Sequence, residues 1–281
     1  MSLHIACAVS ARSPGLLLAV FLLYFQASFL EAQEPAGLAT AALADSSFRW
    51  VSHEILGFRV NFVADSYALS HRDSLLARLP AALTHARELI DAPELSGPVD
   101  LFFLESRAQM EALIGFSATG FAEWSTQTVL LVTNEEWRAF ERHEIMHVVA
   151  GQAWGRPAPG TAWLQEGLAQ AADGECGEHS NADVMSALTG LHGWIPLDVM
   201  LTRFRDQPDL RAYLQAAAFV DYLLNRYGPK PLRDLWQRGA NPDSTINGRT
   251  LAEIERDWKS QLTPDPVNPS RLTSIESKGC G

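Results

Sequence analysis

Cysteine is scarce in this chain, with three in 281 residues. That excludes a disulfide-stapled miniprotein. Basic charge is short as well: 22 Lys and Arg face 33 Asp and Glu, a net charge of −11. No run of Lys and Arg reverses this locally, so phosphate backbones are repelled and nucleic acid is not an expected partner. There is no collagen-like period and no internal repeat. Charged residues are only 20% of the chain and hydrophobic residues 47%, a globular composition with enough apolar surface for one large or two small cores.

The N-terminus carries a targeting pattern. Acidic residues are missing until Glu31, Arg12 gives weak basic character, and residues 16–25 (LLLAVFLLYF) form an unbroken apolar block. That block is short for a membrane span of about 20 residues and suits a signal-peptide core of about 7–15. Ala32, with Leu30 two positions earlier, offers a cleavage site, so residues 1–32 read as a signal peptide. An uncleaved anchor through residues 16–30 and a buried apolar helix are the alternatives. A membrane is a partner only if the segment stays uncleaved. Either export reading puts the folded part outside the cytoplasm, secreted or periplasmic. Removing residues 1–32 takes away one Arg and one Glu, leaving the charge unchanged. Cys7 precedes the apolar block, which is the wrong place for lipid attachment. Cys176 and Cys280 can pair in an oxidising compartment, or stay apart because Cys280 sits in a polar tail.

Residues 33–47 are small and polar and read as a linker. Residues 48–262 form the folded region, and residues 263–281 (TPDPVNPSRLTSIESKGCG) a loose Pro- and Ser-rich tail. Two β-rich runs flank Gly57, a hairpin pattern. Residues 70–90 place Leu75, Leu76, Leu79, Leu83, Ala86 and Ile90 at helical spacing. Strands are expected at 98–104 and 128–133, and helices at 107–114, 137–154, 163–172, 196–204, 210–227, 231–237 and 251–262. Strands with helices come first and helices alone follow, an α+β order.

The chemistry lies between Trp137 and Glu166. His143-Glu144-Ile145-Met146-His147 is H-E-x-x-H. Positions i and i+4 of a helix share a face, so both imidazoles can reach one Zn²⁺ while Glu144 stands beside it. A five-residue match can arise by chance, and two histidines on a polar helix face are the plain alternative. Catalytic zinc needs a third protein ligand and an open position. The metzincin ligand is absent, because Ala150 and Ala153 occupy the positions of its Gly and His. Glu166, nineteen positions after His147 in Trp163-Leu-Gln-Glu-Gly-Leu-Ala169, is a candidate, with Pro157, Pro159 and Gly160 between to turn the chain. Taken alone it would read as a solvated helix carboxylate. His53, His71, His85, His179 and His192 show no ligand spacing.

H-E-x-x-H followed by W-x-x-E-G-x-A resembles the gluzincin zinc metallopeptidases, in their aminopeptidase-like (peptidase MA-type) branch, at the motif level over 143–169. The resemblance implies a zincin-like fold: a small twisted sheet over the H-E-x-x-H helix, then a helical lower half. It implies one Zn²⁺ held by His143, His147 and Glu166, with Glu144 as general base, acting on a peptide or protein substrate. It implies that Gly167 lets the two motif helices approach closely. It also implies an edge strand that takes substrate as an added strand, for which residues 120–132 are the candidate. A tyrosine from a later helix would steady the oxyanion; Tyr213 fits, with Tyr222, Tyr227 and a plain core role as rivals. Asp173 could orient a ligand or be a surface carboxylate. The G-x-M-E-N segment with which the aminopeptidases grip a substrate amino group is missing, which favours an endopeptidase. The competing readings are an exported zinc- or partner-binding module without turnover, a membrane-tethered interaction protein whose helical half binds a partner, and a metallohydrolase with a non-peptide substrate.

Overall fold

Alternation of β-branched and aromatic residues on either side of Leu56-Gly57 makes the first hairpin. In the computed structural model, which describes residues 37–176, 179–262, Ile275 and Cys280, β1 (Trp50–Ile55) and β2 (Phe58–Val63) pair antiparallel across that turn. β3 (Val99–Leu104) and β5 (Thr128–Val132) are mainly apolar runs, buried at every position. Such runs suit interior strands covered on both faces. β3 lies parallel between β2 and β5, and the short β4 (Gly120–Glu123) closes the other edge antiparallel to β5, in the order β1-β2-β3-β5-β4. Arg59 and Asp100, neighbours in the β2–β3 register, make a two-pronged ion pair at 2.6 Å.

Helices cover both faces of this mixed sheet. On one side lie α1 (Leu38–Ala44) and α4 (Arg107–Ile114), where Ala42 and Met110 meet Phe102, Leu104, Leu130 and Val132. The stretch expected to be a plain linker thus contains a helix, because Ala42 fits flat against the sheet. On the other side the short α2 (Tyr67–Ser70), α3 (Arg72–Leu89) and α5 (Glu141–Trp154) pack on Phe58, Val60, Leu101, Phe103 and Val129. α6 (Ala162–Asp173), α7 (Asn181–His192), α8 (Leu197–Thr202), α9 (Asp209–Tyr227), α10 (Pro229–Arg238) and α11 (Leu251–Gln261) complete the helical second half. Two small two-stranded ribbons, β6 (Glu175–Cys176) with β7 (His179–Ser180) and β8 (Thr245–Ile246) with β9 (Arg249–Thr250), decorate it. The described residues are therefore α+β, with eleven α-helices and a mixed sheet.

α5 begins four residues later than its apolar spacing predicts. The Asn134 side chain accepts from the backbone N–H of Glu136 and Trp137 at 2.8 and 2.9 Å, holding the chain in a turn after β5. α7 escaped the periodicity reading, although Ser180 and Asp183 carry a start signal: the Ser180 hydroxyl accepts from the Asp183 N–H at 3.1 Å.

Cys176 and Cys280 form a disulfide, fixing the chain end to the strand that follows α6. No helix among the described residues is long and apolar enough to cross a membrane. Residues 1–32, expected as a signal peptide, and all of the expected tail except Ile275 and Cys280 lie outside the described residues.

Candidate metal centre

The H-E-x-x-H segment lies on α5, which is buried along most of its length. Ile145, Met146, Val148 and Val149 are fully buried in the core, so the turn of the helix is fixed and His143 and His147 share its remaining face. The α5–α6 connection is pinned from the far side. Trp236 and Gln237 of α10 donate to the carbonyls of Gly155 and Trp154 at 2.8 and 2.9 Å, satisfying acceptors that a helix end leaves free. The Ala158 N–H in turn reaches the Trp236 carbonyl at 2.7 Å. The turn through Pro157, Pro159 and Gly160 then delivers α6 alongside α5.

Glu166 arrives on α6 with Oε2 3.3 Å from Nε2 of His143 and 3.4 Å from Nε2 of His147. Donor atoms of all three lie within 4.8 Å of one another, the one such group of three among the described residues. Both separations exceed the ~2.7–2.9 Å of a charge-assisted hydrogen bond. They match the ~3.3 Å edge of a tetrahedron whose ligands stand ~2.0–2.1 Å from its centre. Two imidazoles and one carboxylate, with the cleft open in front of them, could hold one metal ion.

The cleft, of about 790 Å³, is bounded by β4 and its flanks on one side and by α6, α9 and the turn before α9 on the other. Glu144 lines it, packed against the backbone of Gly120: a Cβ placed on Gly120 would stand 2.2 Å from Glu144 Oε1. The Gln152 side chain donates to the Trp124 carbonyl at 2.6 Å, tying α5 to the end of this edge strand. Of the segment 120–132, only residues 120–123 form the edge, since β5 lies inside the sheet.

Burial pushes the Glu144 carboxyl above its ordinary pKa, with His143 and His147 pulling partly the other way. Burial acts upward on Glu166 too, but His147 and His143 overcome it through charge and hydrogen bonding, and that carboxyl stays well below the ordinary range. In the metal-free chain His143 rises: burial lowers it, but the hydrogen bond to Glu166 and the charges of Glu144, Glu166 and Asp173 outweigh that.

Tyr213 comes from the first turns of α9, its ring stacked over His143 with centroids 6.2 Å apart and planes at 14°. Burial, then the Glu166 charge, raises its phenol, so the hydroxyl keeps its proton. Tyr222 and Tyr227 pack against the core and do not line the cleft. Gly167 has a different role from the one its motif implies. A Cβ there would meet the Ala216 carbonyl carbon and oxygen at 2.9 Å, so it opens the approach of α6 to α9 rather than to α5. Asp173 is not a surface carboxylate. It is buried and accepts from Arg138 Nη2 at 3.2 Å, in a charged cluster that also holds the Arg78–Glu141 pair at 2.8 Å.

Arg205 is the residue that motif and spacing did not reveal. It lies in the short 3₁₀ turn Phe204–Asp206. Its Nη2 donates to Glu166 Oε1 at 2.7 Å and its Nη1 to the Tyr213 oxygen at 3.2 Å. It stands 39 positions from Glu166, with no local pattern to announce it.

No protein-family model matches this chain, and no curated protein matches it significantly.

Proposed function

We propose that this chain is a zincin-like, zinc-dependent metallopeptidase that hydrolyses internal peptide bonds of a peptide or protein substrate outside the cytoplasm. One observation carries the reading: His143 and His147 of α5 and Glu166 of α6 turn their donor atoms to a common point, with Glu144 beside them at the cleft wall. His143, His147 and Glu166 would hold one zinc ion. When bound, it polarises a carbonyl and acidifies water. Glu144 takes the proton of the attacking water and passes it to the leaving amine, a task suited to a carboxylate whose pKa burial has raised. Tyr213, neutral and stacked on His143, donates to the oxygen that gains charge. β4 pairs with a strand on one side only among the described residues, and its outer edge can take an extended peptide beside Glu144. The mixed sheet against α5 and the helical second half accord with a zincin-like architecture, and the Cys176–Cys280 disulfide accords with export.

The binding-module alternative gives Glu144 no task, whereas here a buried carboxylate is kept at the cleft against a glycine. Purified protein should carry about one zinc, and Glu144→Gln should retain the zinc while losing hydrolysis of unfolded casein. A wild type that binds no zinc sinks the proposal, and so does a Glu144→Gln variant as active as wild type.

A further inference from the structure

We propose that Arg205 is a positioning residue that holds both the ligand Glu166 and the phenol of Tyr213 in their working orientations; this rests on the metallopeptidase reading. The two oxygens of Glu166 face different neighbours. Oε1 accepts from Arg205 Nη2 at 2.7 Å, while Oε2 stands 3.3 and 3.4 Å from the two imidazole nitrogens. Occupying Oε1 leaves Oε2 alone to face the histidines, so the carboxylate presents a single ligand atom. The same guanidinium donates Nη1 to the Tyr213 oxygen at 3.2 Å. Arginine accepts nothing, so the phenolic hydrogen is not spent on this contact and stays available to the cleft.

The base of Arg205 is fixed. Phe204 beside it is buried, with its ring 5.4 Å from that of Tyr213. The turn closes through Asp206 N–H to the Arg203 carbonyl and Gln207 N–H to the Phe204 carbonyl, both 3.1 Å. A planar fork can serve two acceptors at once, which a lysine ammonium on a flexible stem does not reproduce.

The test uses the full chain loaded with zinc and compares wild type with Arg205→Ala, Arg205→Lys, Tyr213→Phe and the exposed neighbour Arg203→Ala. The first readout is the rate of zinc release to excess chelator, which needs no substrate. Loss of a partner behind a metal ligand typically costs about 10–100-fold, so Arg205→Ala should release zinc about 10–100-fold faster with an unchanged melting temperature. On unfolded casein it should lose kcat by a similar factor while KM holds. Arg205→Lys should recover slow zinc release but not kcat, since one donor point serves Oε1 and leaves Tyr213 unheld. Tyr213→Phe should lower kcat with wild-type zinc release, and removing Arg205 in that background should cost less in kcat than it does alone. Arg203→Ala should behave as wild type. Wild-type zinc release and kcat in Arg205→Ala would overturn the inference and leave the metallopeptidase reading standing. A wild type without zinc overturns that reading, and the role of Arg205 with it.

Discussion

Replacing Gly120 by alanine should disable the proposed base without touching any ligand. A Cβ at this position would lie 2.2 Å from Glu144 Oε1, 2.8 Å from its Cδ and 3.0 Å from its Cγ. Comfortable carbon contacts lie near ~3.5–4.0 Å, so the carboxylate must retreat by about 1 Å. It can do so, because the atoms struck are the end of a rotatable side chain. The backbone also accepts the change, since Gly120 is not among the positive-φ glycines, and glycine inside a strand is weaker than alanine by about 0.5–1 kcal/mol. Stability should therefore stay within about 1 kcal/mol of wild type. Catalysis should not. A shift of about 1 Å in a reacting group costs about 10²-fold, which is about 2.7 kcal/mol of barrier. The measurements are zinc content, thermal unfolding and kcat on casein for Gly120→Ala, Glu144→Gln and the double variant. The expected pattern is full zinc, a preserved melting temperature, kcat down about 10²-fold, and little further loss when the substitution enters the Glu144→Gln background. Wild-type kcat in Gly120→Ala would refute the reasoning, because the position of Glu144 would then not matter to the reaction.

Gly167→Ala should behave oppositely. Its Cβ would meet Ala216 backbone atoms at 2.9 Å, and overpacking of about 1–3 kcal/mol outweighs the roughly 1 kcal/mol that alanine gains in a helix. The melting temperature should fall, and kcat with it, since Tyr213 stands one turn before Ala216. Zinc uptake by the metal-free chain should weaken as pH falls, with onset above 6.5, the ordinary His143 value, because the raised imidazole stays protonated to higher pH and a protonated nitrogen cannot ligate. Zinc titrations across a pH series read this directly; an onset below 6.5 contradicts the shift. The Cys176–Cys280 bond closes a separation of 104 residues. Its removal in Cys280→Ser should cost about 2–4 kcal/mol in urea unfolding, and a reductant should lower wild type but not the variant.

What could be read from the sequence follows a physical divide. His143 and His147 were legible because the helix period alone brings them together, and Glu166 through its resemblance to the gluzincin third-ligand motif, with a Pro- and Gly-rich connection able to turn the chain. β3 and β5 announced themselves as short, mainly apolar runs, and β1 and β2 as β-rich runs flanking Gly57. Gly120 and Arg205 were illegible for the opposite reason. Each meets its partner through tertiary packing, 24 and 39 positions away, with no period or motif to connect them. Asp173 misled because carboxylates near helix ends are commonly solvated, whereas here Arg138 crosses from the segment before α5 to cover it. Gly167 misled because a motif gives the residue and not the neighbour it faces. α7 carried a readable start at Ser180 and Asp183.

The two cleft glutamates show how one pair of helices can divide labour between identical side chains. Both are buried, so desolvation pushes both carboxyls upward. Glu166 escapes because the two imidazoles beside it, 3.3 and 3.4 Å from its Oε2, pull its carboxyl down. Glu144 sits beside the same imidazoles but feels only their charge, and its oxygens lie against the bare backbone of Gly120. The result is one carboxyl shifted down and another shifted up from the same ordinary value. A ligand must not be lost to a proton, and a general base must accept one and give it back. Opposite shifts in the two carboxyls accord with the metallopeptidase reading.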